Sequence, residues 1–151
     1  MNYQIIDIAE AEHPLLVPVW ESSVKATHHF LKDGDFQIFK IIVGSGIFKQ
    51  VPFLKGVKNP EGDILGFMGI SGDSLEMLFI HSDYRGKGIG GALLRFAIEN
   101  IGVKRVGVNQ QNTDALGFYE HFGFRTVSIS ETDGMGKPYP IANMELEVYA
   151  G

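Results

Sequence analysis

The sequence contains no cysteine. Disulfides, zinc–thiolate sites and a cysteine nucleophile are therefore excluded, and a reducing compartment fits the chain. The sequence also lacks any apolar run near the roughly 20 residues that a membrane-spanning helix needs. Its first residues, MNYQIIDIAEAEHP, have neither the basic start nor the apolar stretch of a signal peptide. We therefore expect a soluble, cytoplasmic protein.

Basic residues are sparse, because 13 Lys and Arg stand against 18 Asp and Glu for a net charge of −5. A chain with this balance is not expected to bind nucleic acid or anionic membranes. Its 151 residues and 44% hydrophobic content suit a folded domain with one core. No repeat, low-complexity tract or linker divides the chain, so we expect a single domain over residues 1–151.

Apolar patterning and turn residues predict a mixture of strands and helices. Strands are predicted at 3–8, 51–57, 63–71, 74–80, 104–110, 124–130 and 143–149, and helices at 18–30, 35–48, 89–101 and 112–122. Pro18 suits the first turn of the first helix, although Pro14 leaves its start open; Asp35 and Asn112 are predicted N-caps. Three consecutive strands indicate hairpins and a later β–α–β segment indicates a parallel pair. The sequence therefore predicts an α/β protein with a central mixed sheet.

A glycine-rich stretch, DYRGKGIGGALL at 83–94, follows the predicted strand at 74–80. Gly86, Gly88 and Gly91 match the G-x-G-x-x-G pattern of dinucleotide sites, but no acidic residue follows about 20 positions later to bind a ribose hydroxyl. Glycines allow close backbone approach and a helix N-terminus offers free N–H groups, so the loop suits a pyrophosphate. A tight turn with solvated cations is the alternative for this loop taken alone.

Two stretches together resemble the GCN5-related N-acetyltransferase (GNAT) family. LFIHSDYRGKGIGGALL is similar to its acetyl-CoA motif, a strand followed by R/Q-x-x-G-x-G/A. VNQQNTDALGFYEHFGF is similar to its second signature, through Asn109, Asn112, Ala115, Phe118, Tyr119, Gly123 and Phe124. The resemblance runs across the whole chain, and SVKATHHFL and GKPYP further resemble the small bacterial YjaB-type subgroup of protein-lysine acetyltransferases. It implies the GNAT acyl-CoA N-acyltransferase fold, a mixed sheet of about six or seven strands flanked by about four helices.

The resemblance implies acetyl-CoA as acyl donor, and no metal site is expected. The backbone of Leu78, Phe79 and Ile80 would run beside the pantetheine arm, and an N–H near Phe79 would face the thioester oxygen. Asn112 would hydrogen-bond the cofactor as well as cap its helix, with capping alone as the alternative. The pyrophosphate would be held by Arg85, Gly86, Lys87, Gly88, Ile89 and Gly90, with Gly91 close behind.

Two side chains are candidates for the chemistry. By resemblance, Tyr119 would protonate or hydrogen-bond the departing thiolate; its helical spacing with neighbouring apolar residues also suits a core aromatic. Glu76 would take the proton of the amine directly or through water, and partial burial would raise its pKa. The alternative for Glu76 is an exposed strand carboxylate. Twelve residues before Tyr119, where some family members hold the base, the chain has Gly107.

The acceptor pocket has no sharp motif, and the resemblance implies that the first helices form one wall. Candidates for its lining are Trp20, Thr27, His28 and Phe30, with Tyr139 from the opposite side unless GKPYP is simply a rigid turn. His28 and His29 would point about 100° apart on a helix, which disfavours a shared metal.

We therefore expect an N-acetyltransferase that passes the acetyl group directly to a primary amine. The subgroup favours a protein lysine as that amine. The alternative is a non-catalytic acyl-CoA-binding module with the same fold. The β-rich C-terminal end is compatible with a homodimer.

Overall fold

The computed structural model describes residues 3–147. Its strands are β1 (Ile5–Asp7), β2 (Phe53–Lys58), β3 (Ile64–Ser71), β4 (Ser74–Ile80), β5 (Arg105–Asn109), β6 (Phe124–Ser130) and β7 (Ile141–Leu146). Its helices are α1 (His13–Thr27), α2 (Asp33–Gly44), α3 (Ile89–Phe96) and α4 (Thr113–His121). A π-helical turn, Ala97–Ile101, prolongs α3, and short 3₁₀ turns lie at Glu10–Glu12, Ile47–Gln50 and Ser82–Tyr84.

One seven-stranded sheet organises the fold, in the order β1-β2-β3-β4-β5-β7-β6. Strands β2, β3 and β4 are joined by hairpins, and Gly72 supplies the positive φ of 60° in the tight β3–β4 turn. Within the described part of the chain, β4 and β5 form the one parallel pair, and the other neighbouring strands are antiparallel. The predicted α/β fold with a mixed sheet is confirmed.

Helix pairs cover both faces of the sheet. One apolar cluster joins the sheet to α3 and α4 around Leu93, Leu94 and Phe124, and a second joins it to α1 and α2 around Leu16 and Phe67. Strand β3 is buried over seven consecutive residues, and its neighbours Phe67 and Met68 belong to opposite clusters. Because successive side chains of a strand point to opposite faces, this central strand supplies both halves of the core.

The boundaries of the first two helices differ from the predictions. Helix α1 begins at His13, with Pro14 in its first turn, so the predicted start at Pro18 is wrong and Pro18 lies inside the helix. The helix ends at Thr27, so the segment beginning at His28 lies beyond it. Helix α2 begins at Asp33 with Lys32 in the N-cap position, which corrects the predicted cap at Asp35.

The C-terminal strands mark the end of the described chain. The strand predicted at 143–149 begins two residues earlier, at 141, where Ile141 pairs with Asn109 of β5 and Ser130 of β6. Strand β7 therefore lies between two partners and is longer at this end than its own pattern indicates. Residues 148 and 149 of the prediction lie outside the described residues. No helix among residues 3–147 has the length and apolar character needed to cross a membrane.

Candidate active site

A gap opens between the two parallel strands at the centre of the sheet. Strands β4 and β5 pair only at Ser74 with Arg105 and at Leu75 with Val106. Beyond these pairs the strands diverge around a cavity of about 130 Å³, lined by both of them and by α4. The facing backbone groups of the two strands therefore lack strand partners there, although N–H and C=O groups favour pairing.

A bulge in β4 lies at the start of this gap. Gly69 of β3 pairs with Met77 and Ile70 pairs with Leu75, so Glu76 is an extra residue without a partner on β3. A bulge bends its strand and locally disrupts the ladder, which accounts for the divergence of β4 from β5 just there. The side chain of Glu76 is exposed and lines the gap, so the partial burial expected for it is wrong.

The glycine-rich loop forms the floor of an adjoining cleft of about 330 Å³. Gly86 and Gly88 have φ values of 76° and 84°, and a Cβ added at either would meet nothing within 4 Å. Glycine is therefore required here by backbone conformation rather than by space. Gly88 is the N-cap of α3, whose first-turn N–H groups have no partner within the helix. Tyr3 holds the loop by donating from Oη to Lys87 O at 2.6 Å.

Most of the residues predicted to bind the cofactor come together around this cleft. Its lining contains Leu78, Ile80, Arg85, Gly86, Gly88, Ile89, Gly90, Gly91, Asn112 and Tyr119. Phe79 lies instead in the gap and in the third cavity described below. Lys87 does not line the cleft; its Nζ lies 5.7 Å from the ring centre of Tyr84.

Asn112 connects the cleft to the gap and lines both. Its Oδ1 accepts a hydrogen bond from the backbone N–H of Ala115 at 3.2 Å, so the predicted N-cap of α4 is confirmed. No hydrogen bond engages its Nδ2 within the part of the chain that the structure describes. Capping uses Oδ1 and leaves Nδ2 for the predicted contact with a ligand, so the two roles predicted for Asn112 do not compete.

Tyr119 lies at the same junction and is only 7% exposed. Its ring packs in the core against Phe118 and Phe124. Its hydroxyl has no hydrogen-bond partner within residues 3–147, yet the side chain lines both the cleft and the gap. Burial raises the pKa of the phenol above its ordinary value, so at neutral pH Tyr119 is a neutral hydrogen-bond donor. It therefore combines the core position and the site position that the sequence left as alternatives.

Comparison with known proteins identifies this architecture. A sequence model of the acetyltransferase (GNAT) domain matches residues 56–126. The peptidyl-lysine N-acetyltransferase YjaB of Salmonella typhimurium is 36% identical over 143 residues, which cover 93% of this chain and 97% of YjaB. The chain belongs to the GNAT family of acetyltransferases.

Solved structures of GNAT proteins share the fold. The solution structure of apo-form YjaB from Escherichia coli matches with a TM-score of 0.87 and 35% identity, covering 99% of this chain and 100% of that one. The PaiA N-acetyltransferase of Thermoplasma acidophilum, solved with coenzyme A, matches with a TM-score of 0.73 and 22% identity over 98% of this chain and 100% of its own. The predicted GNAT fold is thereby confirmed.

Acetyl-CoA, the acyl donor of GNAT enzymes, has a chemistry that the gap and the cleft fit. Its pantetheine arm carries amides, and the edges of β4 and β5 offer backbone groups without strand partners. Its pyrophosphate is an anion, and the cleft combines Arg85 with the N-terminus of α3. The expected site therefore offers groups that suit the amides of the arm and the pyrophosphate of this cofactor.

A third cavity, of about 330 Å³, adjoins the gap of this GNAT protein on the side of α1 and α2. Of the predicted acceptor residues, Trp20, His28 and Tyr139 line it, whereas Thr27 lines the cofactor cleft. Phe30 lines none of these cavities and packs against the rings of His28 and Tyr139, at centroid distances of 5.2 and 6.1 Å. Eleven further described residues line this cavity without having been predicted for the acceptor pocket, among them Leu31, Phe39, Asn109 and Asp133. Phe39 packs against the apolar cluster of α1 and α2, and an apolar residue at such a helical position is usually read as core-facing.

Tyr139 connects the loop before β7 to the start of α2. Its hydroxyl donates to Asp35 Oδ2 at 2.5 Å and accepts from the backbone N–H of Lys32 at 3.2 Å. Lys137 Nζ lies 3.2 Å from Asp35 Oδ1. The hydrogen bond from Tyr139, together with Lys137, lowers the pKa of Asp35, and the same bond raises the pKa of Tyr139. A hydrogen bond between residues more than a hundred positions apart in the sequence therefore fixes Tyr139 in the wall of the third cavity.

His28 lies where all three cavities meet, because it lines the cleft, the gap and the third cavity. Its Nδ1 is 2.7 Å from Thr27 Oγ1. Burial, and to a lesser extent the charge of His29, lowers the pKa of the imidazole to about 4, so the ring is neutral at pH 7. No group of three potential metal ligands occurs among the described residues.

Proposed function

We propose that the protein transfers the acetyl group of acetyl-CoA to a primary amine within one ternary complex, without a covalent enzyme intermediate. The observation that carries the proposal is the meeting of three cavities. The cofactor cleft and the gap share Tyr119 and His28, and the gap and the third cavity share His28 and Phe79. This arrangement supports an acyl donor entering from one side and an acceptor amine from the other.

Acetyl-CoA supplies the activated acetyl group as a thioester. Gly86, Gly88 and the first turn of α3 would bind its pyrophosphate through backbone N–H groups, with Arg85 adding charge. The freed edge of β4 from Leu78 to Ile80 would pair with the amides of the arm, and an N–H near Phe79 would stabilise the developing oxyanion. Asn112 Nδ2 would donate to the same arm while Oδ1 remains the helix cap.

Tyr119 would donate its hydrogen bond to the departing sulfur. A phenol of pKa about 10 is already a weaker acid than a thiol of pKa about 8.5. Burial raises the pKa of Tyr119 further, so full proton transfer to the thiolate is uphill in the resting site. We therefore assign Tyr119 the stabilisation of the thiolate by hydrogen bonding, with the final thiol proton coming through water.

Glu76 would receive a proton from the incoming ammonium through water. Its exposure at the bulge supports a water-mediated rather than a direct transfer, since the carboxylate faces solvent in the gap. Its charge would also attract a cationic acceptor towards the gap. Gly107, which stands on β5 across the gap, offers no alternative side chain.

A lysine side chain is the acceptor that we propose. The relatives from Salmonella typhimurium and Escherichia coli are both named peptidyl-lysine N-acetyltransferases. The third cavity supports this choice, because its wall is mainly aromatic and aliphatic and suits the methylene stem of a lysine. Asp133 is the only carboxylate among the described residues that line it, which favours an acceptor with one cationic group over a polyamine. A cytoplasmic location, a single domain over residues 1–151, a homodimer and the absence of a nucleic-acid partner stay predictions.

Thiol release from acetyl-CoA tests the function directly. The panel of amines contains a lysine peptide, its N-terminally blocked form, free amino acids, a polyamine and an aminoglycoside. We expect the blocked lysine peptide to release CoA, and Tyr119→Phe to lower kcat about tenfold or more while the affinity for CoA is retained. Tight CoA binding without thiol release from any amine would support the acyl-CoA-binding module instead. Failure to bind CoA would refute the assignment of the glycine-rich loop.

A further inference from the structure

Amide formation from an ammonium group requires the loss of two protons from nitrogen. The ammonium carries three hydrogens, and the amide product keeps one. In the proposed function, Glu76, which lines the gap, would accept through water the proton that leaves before attack. The second proton leaves as the carbon–nitrogen bond forms and nitrogen becomes cationic again. A second acceptor of that proton, close to the acetyl group and to the amine, is therefore needed.

Two contacts of Thr27 favour one tautomer of the His28 ring. The hydroxyl oxygen of Thr27 lies 2.7 Å from the carbonyl oxygen of Ser23, which can only accept a hydrogen bond. The same hydroxyl oxygen lies 2.7 Å from His28 Nδ1. Because the hydroxyl has one hydrogen, both contacts are hydrogen bonds at once only when Nδ1 carries the proton of the neutral ring. In that tautomer Nε2 has a free lone pair.

The backbone holds the imidazole at the junction of the cavities. The N–H of His28 donates to Val24 O at 2.8 Å, which extends the last turn of α1, and its carbonyl accepts from Leu31 N at 3.1 Å. Among residues 3–147, His28 is the one that lines the cofactor cleft, the gap and the third cavity. Nε2 has no hydrogen-bond partner within residues 3–147 and is not enclosed. Its lone pair is thus available to a group that spans the cavities.

We propose that His28 Nε2 accepts the proton that the attacking amine loses as its bond to the acetyl carbon forms. The assignment rests on the proposed function. In this step the nitrogen lone pair forms the C–N bond, the C–S bond electrons pass to sulfur, and the N–H proton moves to Nε2. The sulfur takes a proton from water beside Tyr119, and His28 later returns its proton to solvent. Thr27 is the positioning residue that keeps the lone pair on Nε2.

The electrostatics of the site support separate acceptors for the two protons, Glu76 with water for the first and His28 for the second. Burial lowers the pKa of His28 to about 4, so a neutral ring does not repel an incoming cation. A base this weak cannot deprotonate an alkylammonium of pKa about 10.4. Nitrogen bonded to an acyl carbon is far more acidic than an alkylammonium, so a weak base is sufficient for the second proton only.

Nitrogen NMR of the histidine rings tests the tautomer without reference to activity. We expect His28 to be neutral at pH 7 with the proton on Nδ1, and Thr27→Val to shift the ring towards a mixture of tautomers. A wild-type protein with the proton on Nε2 would overturn the proposal whatever the enzyme turns over. The same spectra report whether the substitutions leave the fold intact.

Kinetics with a blocked lysine peptide tests the proton transfer. His28→Asn keeps an N–H at the position of Nδ1 and removes Nε2, so we expect kcat to fall about a hundredfold or more with unchanged CoA affinity. His28→Gln restores a hydrogen-bonding atom near Nε2 but not a base, so it should not recover kcat. His29→Asn is the matched control, since the neighbouring side chain is exposed and lines none of the cavities.

The outcomes separate this assignment from the proposed function. If His28→Asn keeps kcat within threefold of wild type, or changes only KM for the peptide, His28 is a wall residue and the assignment fails while the function stands. If His28→Gln recovers kcat, a hydrogen bond is sufficient and proton transfer is refuted. If wild type acetylates no amine, the proposed function fails and the role of His28 fails with it.

Discussion

Acidification from pH 7 to pH 5 is expected to destabilise this protein through His28. The folded state lowers the pKa of His28 from 6.5 to about 4, first through burial and second through the charge of His29. Between these two values the unfolded chain binds a proton that the folded chain does not. The free energy of unfolding therefore rises as the pH rises through this window, and the stabilising contribution of neutral His28 is lost as the pH falls.

The size of the effect follows from the two pKa values. One pKa unit corresponds to about 1.4 kcal/mol, so the full contribution of His28 is about 3 kcal/mol, lost below pH 4. At pH 5 the unfolded imidazole is almost fully charged and the folded one is mostly neutral, which gives a loss of about 2 kcal/mol. The groups around His28 are Tyr84, Arg85, Asp114 and Tyr119 in the cleft, Glu76 in the gap, Asp133 and Tyr139 in the third cavity, and His29 beside it.

Urea unfolding at pH 7 and pH 5 measures this loss, with wild type, His28→Gln and His29→Gln compared. Wild type should lose about 2 kcal/mol more than His28→Gln between the two pH values. Some carboxylates also have pKa values lowered by their partners, among them Glu12, Glu21 and Asp35. They contribute equally to the pH dependence of wild type and of His28→Gln, so their effect cancels in the difference between the two proteins. His29→Gln should behave nearly as wild type. Parallel losses in wild type and His28→Gln would refute the burial argument for a neutral His28.

Two further substitutions test the loop and the wall of the third cavity. Gly88→Ala should weaken CoA binding and lower the free energy of unfolding by about 1–2 kcal/mol, because an L residue must adopt the φ of 84°. Gly34→Ala is the control, since Gly34 has open space around it and an ordinary φ. Equal changes of stability in the two variants would contradict the strain argument. Tyr139→Phe should lower stability by about 1–2 kcal/mol in urea and raise KM for the lysine peptide more than it changes kcat, because Asp35 loses a donor. Unchanged KM would show that this connection does not shape the acceptor cavity.

Local chemistry accounts for the parts of the fold and site that the sequence predicts well. The strands of the β2–β3–β4 hairpins, the glycine-rich loop and the Asn112 cap are each defined by residues within a few positions of one another. Positive φ at Gly88 and the free amides of α3 depend on that segment alone. The glycine-rich loop and the cap of α4, which we propose contact the cofactor, could therefore be predicted before any packing was known.

Packing between segments that are distant in the sequence determines the features of the fold and site that local patterns do not predict. The exposure of Glu76 depends on the register of β4 against β3, which the sequence of β4 does not contain. Asp35 looks like a helix cap, but its partner Tyr139 is 104 residues away and no local pattern identifies it. The lone pair of His28 depends on a hydroxyl one residue away, yet its placement among three cavities requires α1, β4 and α4 together. The sequence by itself determined the glycine-rich turn and the helix N-terminus that we propose bind a phosphate-bearing cofactor, because short-range backbone geometry makes them. Only the tertiary structure decided which side chains meet at the junction of the three cavities, because those side chains come from segments that only folding brings together.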